Sequence, residues 1–436
     1  MRKAAVLAVT LTLWVSAVLG GFGITSSAKA EDVIKVGILH SLTGPLSISE
    51  SSLRDVMLML IDQQNQNGGL LGKQIEPVVL DPASDPGTFA RKLQQLLEKH
   101  DVSAVFGGWT SASRKAMLPV LRKNNGLLFY PVQYEGQESE RNVFYTGATP
   151  NQQAIPTVEY LMNVDKVTRW YLVGNDYVYP RITNSILKAH LELNGVPEDD
   201  IEIRYIPWNF RDWPGLVNEI KLFGRQGARS AVVSTINGEA NLAFYRELAQ
   251  QGVDGADIPV VSFSVNEEEL SGVDATGVEG HLVAWGYFQS VDHPANQAFL
   301  KQWHDYLGDE YRATNDPMEA HYIGFNMWVE AVRQAGSVDV DQVIDKMVGI
   351  RVPNLSGGMA EMLPNHHITR PAMVGEINSD GQFRIVWRSP DLLPGDAWSD
   401  YLDISRDLVA DWRAPVSCGS FNKVSGTCVR VPPAAN

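Results

Sequence analysis

The 436-residue sequence predicts an α/β protein built from two parallel β-sheets with helices on both faces. Three observations predict it: strands alternate with helices along most of the chain, the alternation restarts near residue 150, and 44% of the residues are hydrophobic against 20% charged. A chain of this length and composition can form two or three domains with full cores. The formal net charge of -15 argues against a protein that binds nucleic acid or anionic lipid, because both partners require a basic surface.

The first run of strands and helices lies between residues 33 and 130. An apolar run from Val33 to Leu39 predicts a buried strand, and the apolar residues after it repeat at the spacing of a helical face: Leu53, Val56, Met57, Leu60 and Ile61. Ile75 to Leu80 predicts the second strand, and Asp85-Pro86 is typical of the cap and first residue of a helix. The same alternation predicts a strand, a helix and a strand at Val102–Phe106, Ser113–Arg122 and Leu127–Tyr130.

The second run restarts with a helix near Asn151–Asn163. Four strands are predicted at Arg169–Val173, Ile201–Tyr205, Ser230–Ser234 and Pro259–Phe263. The helices between them are predicted near Ile182–Leu193, Leu216–Phe223 and Glu239–Gln250. A third section contains helices near Ala295–Leu307, Pro317–Gln334 and Val340–Val348, then a strand-rich stretch around an Asp380-Gly381 turn. This section is too thin for a domain of its own, so we expect it to complete the two sheets.

The first thirty residues have the pattern of a secretory signal. Arg2 and Lys3 precede an apolar run from Ala4 to about Leu19, and Ala28-Lys29-Ala30 has small residues where a signal peptidase cleaves. Glu31 is then the first mature residue, and the mature protein is expected to be exported. An uncleaved anchor helix is the alternative, for which the apolar run is only marginally long enough.

Two cysteines, Cys418 and Cys428, lie close together near the C-terminus. In an oxidising compartment we expect them to form a short-loop disulfide. Two free thiols or half of a metal site remain alternatives, although no CxxC motif or neighbouring histidine completes a ligand set.

Polar and aromatic residues follow five of the predicted strands. Ligands of doubly wound sheets bind outside the carboxyl ends of the strands, so these residues are candidates for a binding site: Trp109, Thr110, Ser111, Tyr130, Gln133, Tyr177, Asn237 and Glu267. Aromatic walls with hydroxyl and amide groups suit a small, polar, planar and uncharged molecule. Taken singly, each aromatic residue could instead pack in the core, and Ser111 could be a helix cap.

Enzyme motifs are mostly absent from the sequence. It contains no GxSxG, GxxxxGK[ST] or HExxH pattern, and no GxGxxG after the first strand. We interpret the pair His366-His367 as a surface or loop feature rather than a metal site, and Asp81 and Asp85 as turn and cap residues rather than calcium ligands. The sequence therefore predicts a binding protein without a cofactor, and an exported hydrolase is the competing class.

Several of these loops resemble a known family. The segment NQNGGLLGKQIE (Asn65–Glu76) resembles the periplasmic receptors of the branched-chain amino-acid-binding type. More narrowly, the chain is similar from about Val33 to about Pro390 to the receptors of urea ABC transporters, through WTSASRK (Trp109–Lys115), LLFYPVQYEG (Leu127–Gly136), FYTGATPNQQ (Phe144–Gln153), DYVYPR (Asp176–Arg181), NGEAN (Asn237–Asn241), SFSVNEEEL (Ser262–Leu270) and DPMEAHYIG (Asp316–Gly324). Receptors for short-chain amides, and the cytosolic amide sensor of amidase operons, share several of these motifs.

The resemblance implies a type I periplasmic-binding-protein fold, with two Rossmann-like lobes joined by three crossovers. It implies a first lobe at residues 31–148 and about 283–354, a second lobe at 149–282 and about 355–412, and a tail at 413–436. Ser111 and Tyr130 would contact the ligand from the first lobe and Tyr177 from the second, while Trp109 and Gln133 are choices typical of urea receptors. An ABC permease and its ATPase would be the partners.

The sequence also departs from the urea receptors. Gly108 stands where many of them have Cys, Asn175 where they have Ser, and the segment Ser356–Met362 differs from their usual strand. Short amides and branched-chain amino acids therefore remain alternative ligands, and a sensor of such ligands remains an alternative role. A zwitterionic amino acid would need an acid such as Glu267 or Asp176 to bind its ammonium group.

Overall fold

The computed structural model describes residues 33–431. Residues 1–30, where the signal peptide is predicted, lie outside this range. Five strands form the first sheet: β1 (Ile34–Leu39), β2 (Ile75–Leu80), β3 (Ala104–Gly107), β4 (Leu128–Tyr130) and β5 (Val143–Tyr145). They are all parallel and lie in the order β2-β1-β3-β4-β5. Four of them were predicted; β5 was missed, because its three residues are too short to show a period.

The second sheet draws its strands from two parts of the chain. Five come first: β6 (Arg169–Asn175), β7 (Ile201–Ile206), β8 (Ser230–Thr235), β9 (Val260–Ser262) and β10 (Leu282–Trp285). The other two are β14 (Met373–Ile377) and β15 (Phe383–Arg388). Three short strands outside this sheet precede them in the chain: β11 (Arg351–Pro353), β12 (Met359–Glu361) and β13 (Thr369–Arg370). The sheet order is β15-β14-β10-β9-β8-β6-β7. This two-lobe α/β architecture confirms the predicted fold class, with one correction: β14 and β15 pair antiparallel at one edge.

Three helices alternate with the strands of the first sheet. They are α1 (Ser47–Gln66), α2 (Pro86–Glu98) and α3 (Ser111–Asn124). Asp85 caps α2 as predicted, since its Oδ1 accepts a hydrogen bond from Thr88 N at 2.7 Å. The helix α3 begins at Ser111 rather than near Ser113, because Thr110 Oγ1 accepts from Ser113 N at 3.0 Å and caps it.

Eight further helices follow in chain order. They are α4 (Ala154–Asn163), α5 (Val178–Leu193), α6 (Trp213–Gly224), α7 (Ala240–Gln250), α8 (Glu267–Leu270), α9 (Pro294–Leu307), α10 (Asp316–Ala335) and α11 (Val340–Met347). After β10 the chain returns to the first lobe, where α10 packs against α1. Within residues 33–431 we find no helix with the length and apolar character needed to span a membrane.

A buried ion cluster holds the segments that pass between the lobes. Arg370 donates to Asp316 and lies 3.5 Å from Glu319 Oε2, and all three side chains are about 1% exposed or less. The cluster also binds backbone atoms of all three passages: Thr146 O at 3.1 Å, Gly286 N at 2.8 Å and Leu355 N at 2.8 Å. A Cβ at Gly286 would lie 2.6 Å from Arg370 Nε, so the guanidinium packs directly on the backbone. The exact residues that divide the two lobes stay a prediction.

The C-terminal segment forms a small extension that the sequence did not predict. After β16 (Leu393–Pro394), a three-stranded sheet contains β17 (Leu408–Asp411), β18 (Cys418–Asn422) and β19 (Thr427–Cys428). A disulfide joins Cys418 to Cys428 in this structure. Trp412 Nε1 donates to Ser139 Oγ at 2.9 Å, so the extension packs on the first lobe.

Candidate functional site

The first-lobe part of the site begins where β3 ends. Gly108 has a φ of +87°, and a Cβ there would lie 3.1 Å from Met117 Cε and 3.2 Å from the Tyr130 ring. This tight, left-handed backbone favours glycine, because a Cβ would be strained there and would crowd both neighbours. The turn at Gly108 leads to Trp109, which is 2% exposed, and to Ser111, the first residue of α3.

A buried ion network lies behind Ser111. The Ser111 hydroxyl donates to Glu135 Oε2, and Arg114 Nη2 lies 3.3 Å from the other oxygen of that carboxylate. Arg114 Nε donates to Glu138 Oε1 at 2.7 Å, and Lys115 Nζ donates to Glu138 Oε2 at 2.9 Å. Two cations thus face two carboxylates, and the network as a whole is neutral.

Aromatic rings enclose the Arg114 guanidinium. Its Cζ lies 4.7 Å from the centroid of the Tyr130 ring and 4.3 Å from that of Tyr134. Tyr145 donates to Glu138 Oε1 at 2.9 Å, and its ring stacks on His367 at 4.5 Å. Such rings hold the guanidinium through cation–π attraction and keep water away from the ion pairs.

The electrostatics of this network follow from burial and from opposite charges. Burial alone would lower the pKa of Arg114, but Glu138 and Glu135 outweigh it and raise that pKa well above its ordinary value. Burial also opposes the charge of Glu138, but Arg114 and Lys115 hold the pKa of that carboxyl far below its usual range. Arg114 and Glu138 therefore stay charged at any physiological pH.

The second-lobe part of the site lies at the ends of β6 and β8. Asn237 donates through Nδ2 to the Tyr177 hydroxyl at 3.2 Å, and Asn237 N donates to Asn175 Oδ1 at 2.8 Å. Tyr177 precedes the first residue of α5, and Tyr179 follows one residue inside it. These four side chains are neutral, in contrast to the first-lobe network.

The two parts lie next to each other where the lobes meet. Burial raises the pKa of Tyr177, and Tyr130 and Glu135 of the first lobe add to the effect. Burial also raises the pKa of Tyr179, and Gln133 of the first lobe lies beside that hydroxyl. The structure therefore brings most of the predicted residues together in one place: Trp109, Ser111, Tyr130, Gln133, Tyr177 and Asn237.

Four buried polar atoms in this cluster have no hydrogen-bond partner among the described residues. They are Trp109 Nε1, Gln133 Oε1, Asn175 Nδ2 and the Tyr179 hydroxyl. Their residues are 4% exposed or less. Since an unsatisfied buried polar group costs about 1–3 kcal/mol, such a group calls for an explanation.

Two predicted residues have other surroundings. Thr110 caps α3, as described above. Glu267 Oε1 accepts from Gln289 N at 2.8 Å, and burial, with Asp316 and Glu268 nearby, raises the pKa of Glu267 to about 8. Among residues 33–431 the contacts of Glu267 lie beside the ion cluster of the passages, so the structure does not bring it to Tyr177 or Ser111.

Other expectations are corrected or extended by the geometry. The prediction that His366 and His367 lie at the surface is wrong. Both residues are 0% exposed, because their rings pack on Phe144 and Tyr145. Within the described range no group of three or more potential ligands could hold a metal. Asp176 pairs with Arg181 at 2.6 Å on the protein surface.

Sequence reasoning missed four residues of the cluster, namely Arg114, Glu135, Asn175 and Tyr179. A signal was present for Arg114, which lies three residues after Ser111 and therefore on the same helix face. No local pattern pairs Arg114 with Glu135, because the loop that contains Glu135 follows the next strand.

Comparison with known proteins identifies the family. The model of the periplasmic binding protein domain matches residues 34–403. The chain belongs to this family. It is a solute-binding receptor with two lobes, and its candidate site lies where the lobes meet.

The curated relatives of this receptor are distant. Leu/Ile/Val-binding protein homolog 6 of Brucella melitensis is 22% identical over 370 residues, which cover 82% of this chain and 91% of that protein. The leucine-, isoleucine-, valine-, threonine- and alanine-binding protein of Pseudomonas aeruginosa is 22% identical over 333 residues, 74% of this chain and 84% of that protein. A limonene hydroxylase of Geobacillus stearothermophilus is 32% identical over 115 residues, but the receptor spans only 21% of its length.

Solved structures share the fold. A solute-binding protein of an ABC transporter from Rhodopseudomonas palustris, in complex with p-hydroxybenzoic acid, has a TM-score of 0.72 at 21% identity and covers 82% of this chain and 97% of its own. LivJ of Streptococcus pneumoniae, in complex with isoleucine, has a TM-score of 0.69 at 16% identity, with 83% and 99% covered. At these identities the likeness concerns the fold alone.

Proposed function

We propose that this receptor binds urea, or a short amide of similar shape, between its lobes and delivers it to an ABC permease. The observation that carries the proposal is the set of four unpartnered, buried and neutral polar groups, contributed by both lobes beside an ion network of zero net charge. Neutral donors and acceptors without partners are the complement of a neutral molecule with donors and acceptors of its own.

The charge balance favours an uncharged ligand. Arg114 and Lys115 already pair with Glu135 and Glu138 in a buried environment. An ion added to this site would have to compete for a partner or stay unpaired, and a buried unpaired charge costs several kcal/mol. An ion pair within the wall therefore serves to shape the site rather than to neutralise a ligand.

The chemistry of urea matches the four free groups. The urea carbonyl can accept from the N–H groups of Trp109 and Asn175. The urea N–H groups can donate to Gln133 Oε1 and to the Tyr179 hydroxyl oxygen. A ligand without these N–H donors would leave Gln133 unsatisfied, so this acceptor supports selection of amide-like molecules over plain carbonyl compounds.

A branched-chain amino acid is the second candidate ligand. It is favoured by the relatives named Leu/Ile/Val-binding proteins. Against it, Asp176 pairs with Arg181 at the surface. Glu267 accepts from Gln289 N through Oε1 and has no partner for Oε2 among the described residues, but its contacts lie beside the ion cluster of the passages rather than beside Tyr177 or Ser111. A role as a ligand sensor without transport is the third alternative.

The same proposal includes the location and the partners. The signal pattern at residues 1–30 supports export to the periplasm, where the receptor would meet a permease and its ATPase subunits. No cofactor takes part, because binding and lobe closure involve no covalent chemistry.

Calorimetric titration of residues 31–436 tests the proposal. Urea is added at sub-millimolar concentrations, far below any denaturing level, with acetamide and leucine as parallel ligands. We expect saturable one-to-one binding of urea in preference to the other two. Binding of leucine with silence from urea and acetamide would replace the proposed ligand, and a Gln133→Leu variant that still binds urea fully would remove Gln133 from the site.

A further inference from the structure

A short glutamate-rich helix of the second lobe packs against the first lobe. The helix α8 follows β9 of the second sheet, and α1 follows β1 of the first sheet, so their contact joins the lobes. Ser49 of α1 donates its hydroxyl hydrogen to Glu269 Oε1, and Asn266 N donates to Glu269 Oε2 at 3.2 Å. Ser49 is 0% exposed and Glu269 is 1% exposed.

The neighbouring contacts show that this edge of the cleft is closed. Glu239 N of the second lobe donates to Pro45 O of the first lobe at 3.1 Å. Arg312 Nη2 lies 3.0 Å from Glu268 Oε1 and 4.0 Å from Asp55 Oδ2. Glu268 therefore has a cation beside it, whereas Glu269 has only neutral donors among residues 33–431.

Burial of the Glu269 carboxyl depends on the lobes being together, because Ser49 and its helix belong to the other lobe. Burial raises the pKa of Glu269 to about 8, although the hydrogen bonds from Ser49 and Asn266 act in the opposite direction. Separation of the lobes would expose the carboxyl to water, where its ordinary pKa is 4.5. The titratable or charged groups around this contact are Asp55 on α1, Tyr245 on α7, Glu267 and Glu268 on α8, and Arg312.

We propose that closure of the two lobes takes up a proton at Glu269, so that the α1–α8 contact makes ligand capture depend on pH. This inference rests on the proposed function only in that ligand binding and lobe closure are coupled; it does not depend on which small molecule is bound. Burial of Glu269 against α1, with no cation beside it among the described residues, favours the protonated carboxyl over the carboxylate.

The direction of the effect follows from linkage. A carboxyl whose pKa is higher in the closed form than in the open form binds more protons when closed, so acid favours closure. Closure and affinity should be strongest below the open-form pKa of 4.5, weaken as pH rises toward about 8, and level off above it. One proton gives a change of up to about tenfold per pH unit within this window.

Two variants and one control test the coupling. In Glu269→Gln the side chain cannot titrate, so the ratio of affinities at pH 5.5 and 8.5 should shrink by about tenfold or more relative to wild type. In Ser49→Ala the midpoint should move to higher pH, because the carboxylate loses a stabilising donor. Ser51→Ala is the matched control on the same helix: its hydroxyl donates to Ser47 O at 2.7 Å, away from α8, and its profile should equal wild type.

The experiment has two readouts for each protein. The first is calorimetric titration with urea at pH 5.5, 7.0 and 8.5. The second is the radius of gyration of the ligand-free protein by small-angle X-ray scattering at the same pH values, which reports closure whether or not urea binds. We expect acid to reduce the wild-type radius, and less so in Glu269→Gln.

The outcomes are distinguishable. Absence of urea binding, together with a radius that depends on pH through Glu269, would contradict the proposed ligand and support the proton-coupled contact. Glu269→Gln and Ser49→Ala profiles identical to wild type would overturn it. The hinge carboxyls Glu267 and Glu319, whose pKa values are also about 8, remain in every variant, so differences between proteins isolate Glu269. If Glu269→Gln does not fold, the Ser49→Ala shift alone decides.

Discussion

The two sides of the candidate site are built on different principles. The first-lobe side contains the buried ions Arg114, Glu135 and Glu138 and the partly exposed Lys115, and each of them has an opposite charge beside it. The second-lobe side contains only neutral side chains, two of which, Asn175 and Tyr179, have polar atoms without partners. The comparison supports the proposal that the charged network shapes the site and that the neutral groups recognise the ligand.

The largest expected effect breaks the charged side. Arg114→Gln leaves Glu135 and Glu138 buried with only Lys115 as a counter-ion, so we expect a loss of about 3–5 kcal/mol in the free energy of unfolding and loss of ligand binding. Guanidinium chloride unfolding measures it. Arg122→Gln on the same helix is the control: its partner Glu140 forms an exposed pair, and the cost should stay below about 1 kcal/mol. Equal costs in the two variants would contradict the structural role of the buried network.

The second-largest expected effect is a pH dependence of stability caused by His367, whose ring stacks on Tyr145 of the first lobe. Burial lowers the pKa of His367 to about 3, against 6.5 in the unfolded chain. The unfolded state therefore binds more protons between these values, and stability should fall by about 2 kcal/mol from pH 7 to pH 5 on account of this residue. Calorimetric unfolding of wild type and His367→Phe at both pH values measures the difference. An equally steep pH dependence in the variant would refute this prediction.

The third prediction concerns the neutral second-lobe side, where we expect affinity to fall without a loss of stability. Tyr179→Phe removes a buried hydroxyl that has no partner, so the ligand-free protein should be as stable as wild type or more stable. Affinity for urea should nevertheless fall about tenfold, which corresponds to about 1.4 kcal/mol. Tyr205→Phe, a half-buried tyrosine of β7 beside Arg181, is the control and should leave affinity unchanged. A destabilised Tyr179→Phe protein with normal affinity would show that the hydroxyl serves packing.

The smallest expected effect concerns Ser111 on the first-lobe side. Ser111→Ala removes the hydroxyl that donates to Glu135, but Arg114 still pairs with that carboxylate. We expect a loss of about 1 kcal/mol or less in stability and a few-fold loss in urea affinity. Titration and thermal unfolding of the variant check both numbers, and unchanged affinity would assign Ser111 to the ion network alone.

The sequence predicted most of the fold because long elements carry strong periodicity. The strands Ile75–Leu80 and Ser230–Thr235 and the helices around them follow clear apolar patterns. The strand Val143–Tyr145 and the extension from Leu408 to Cys428 were missed, because short strands have too few residues to show a period. The Asp380-Gly381 turn indicated the hairpin of β14 and β15, but no local pattern indicated that β14 would pair antiparallel with β10 in the second sheet.

The candidate site was predicted where residues directly follow strands. Trp109, Ser111 and Gln133 came from the rule that ligands lie at the carboxyl ends of parallel strands. Their ionic support could not be predicted, since the pairing of Arg114 with Glu138 joins residues 24 positions apart. Glu267 also follows a strand, but its contacts lie beside the ion cluster of the passages, so its part in binding stays a prediction.

A crystal structure of the protein grown with urea tests the central claim most directly. The account predicts urea enclosed between the lobes, with its oxygen within hydrogen-bond distance of Trp109 Nε1 or Asn175 Nδ2 and a nitrogen near Gln133 Oε1 and the Tyr179 hydroxyl. Such a geometry would show neutral groups of both lobes holding one ligand. A site empty under saturating urea, or a ligand bound through the charges of Arg114 and Glu135, would contradict it.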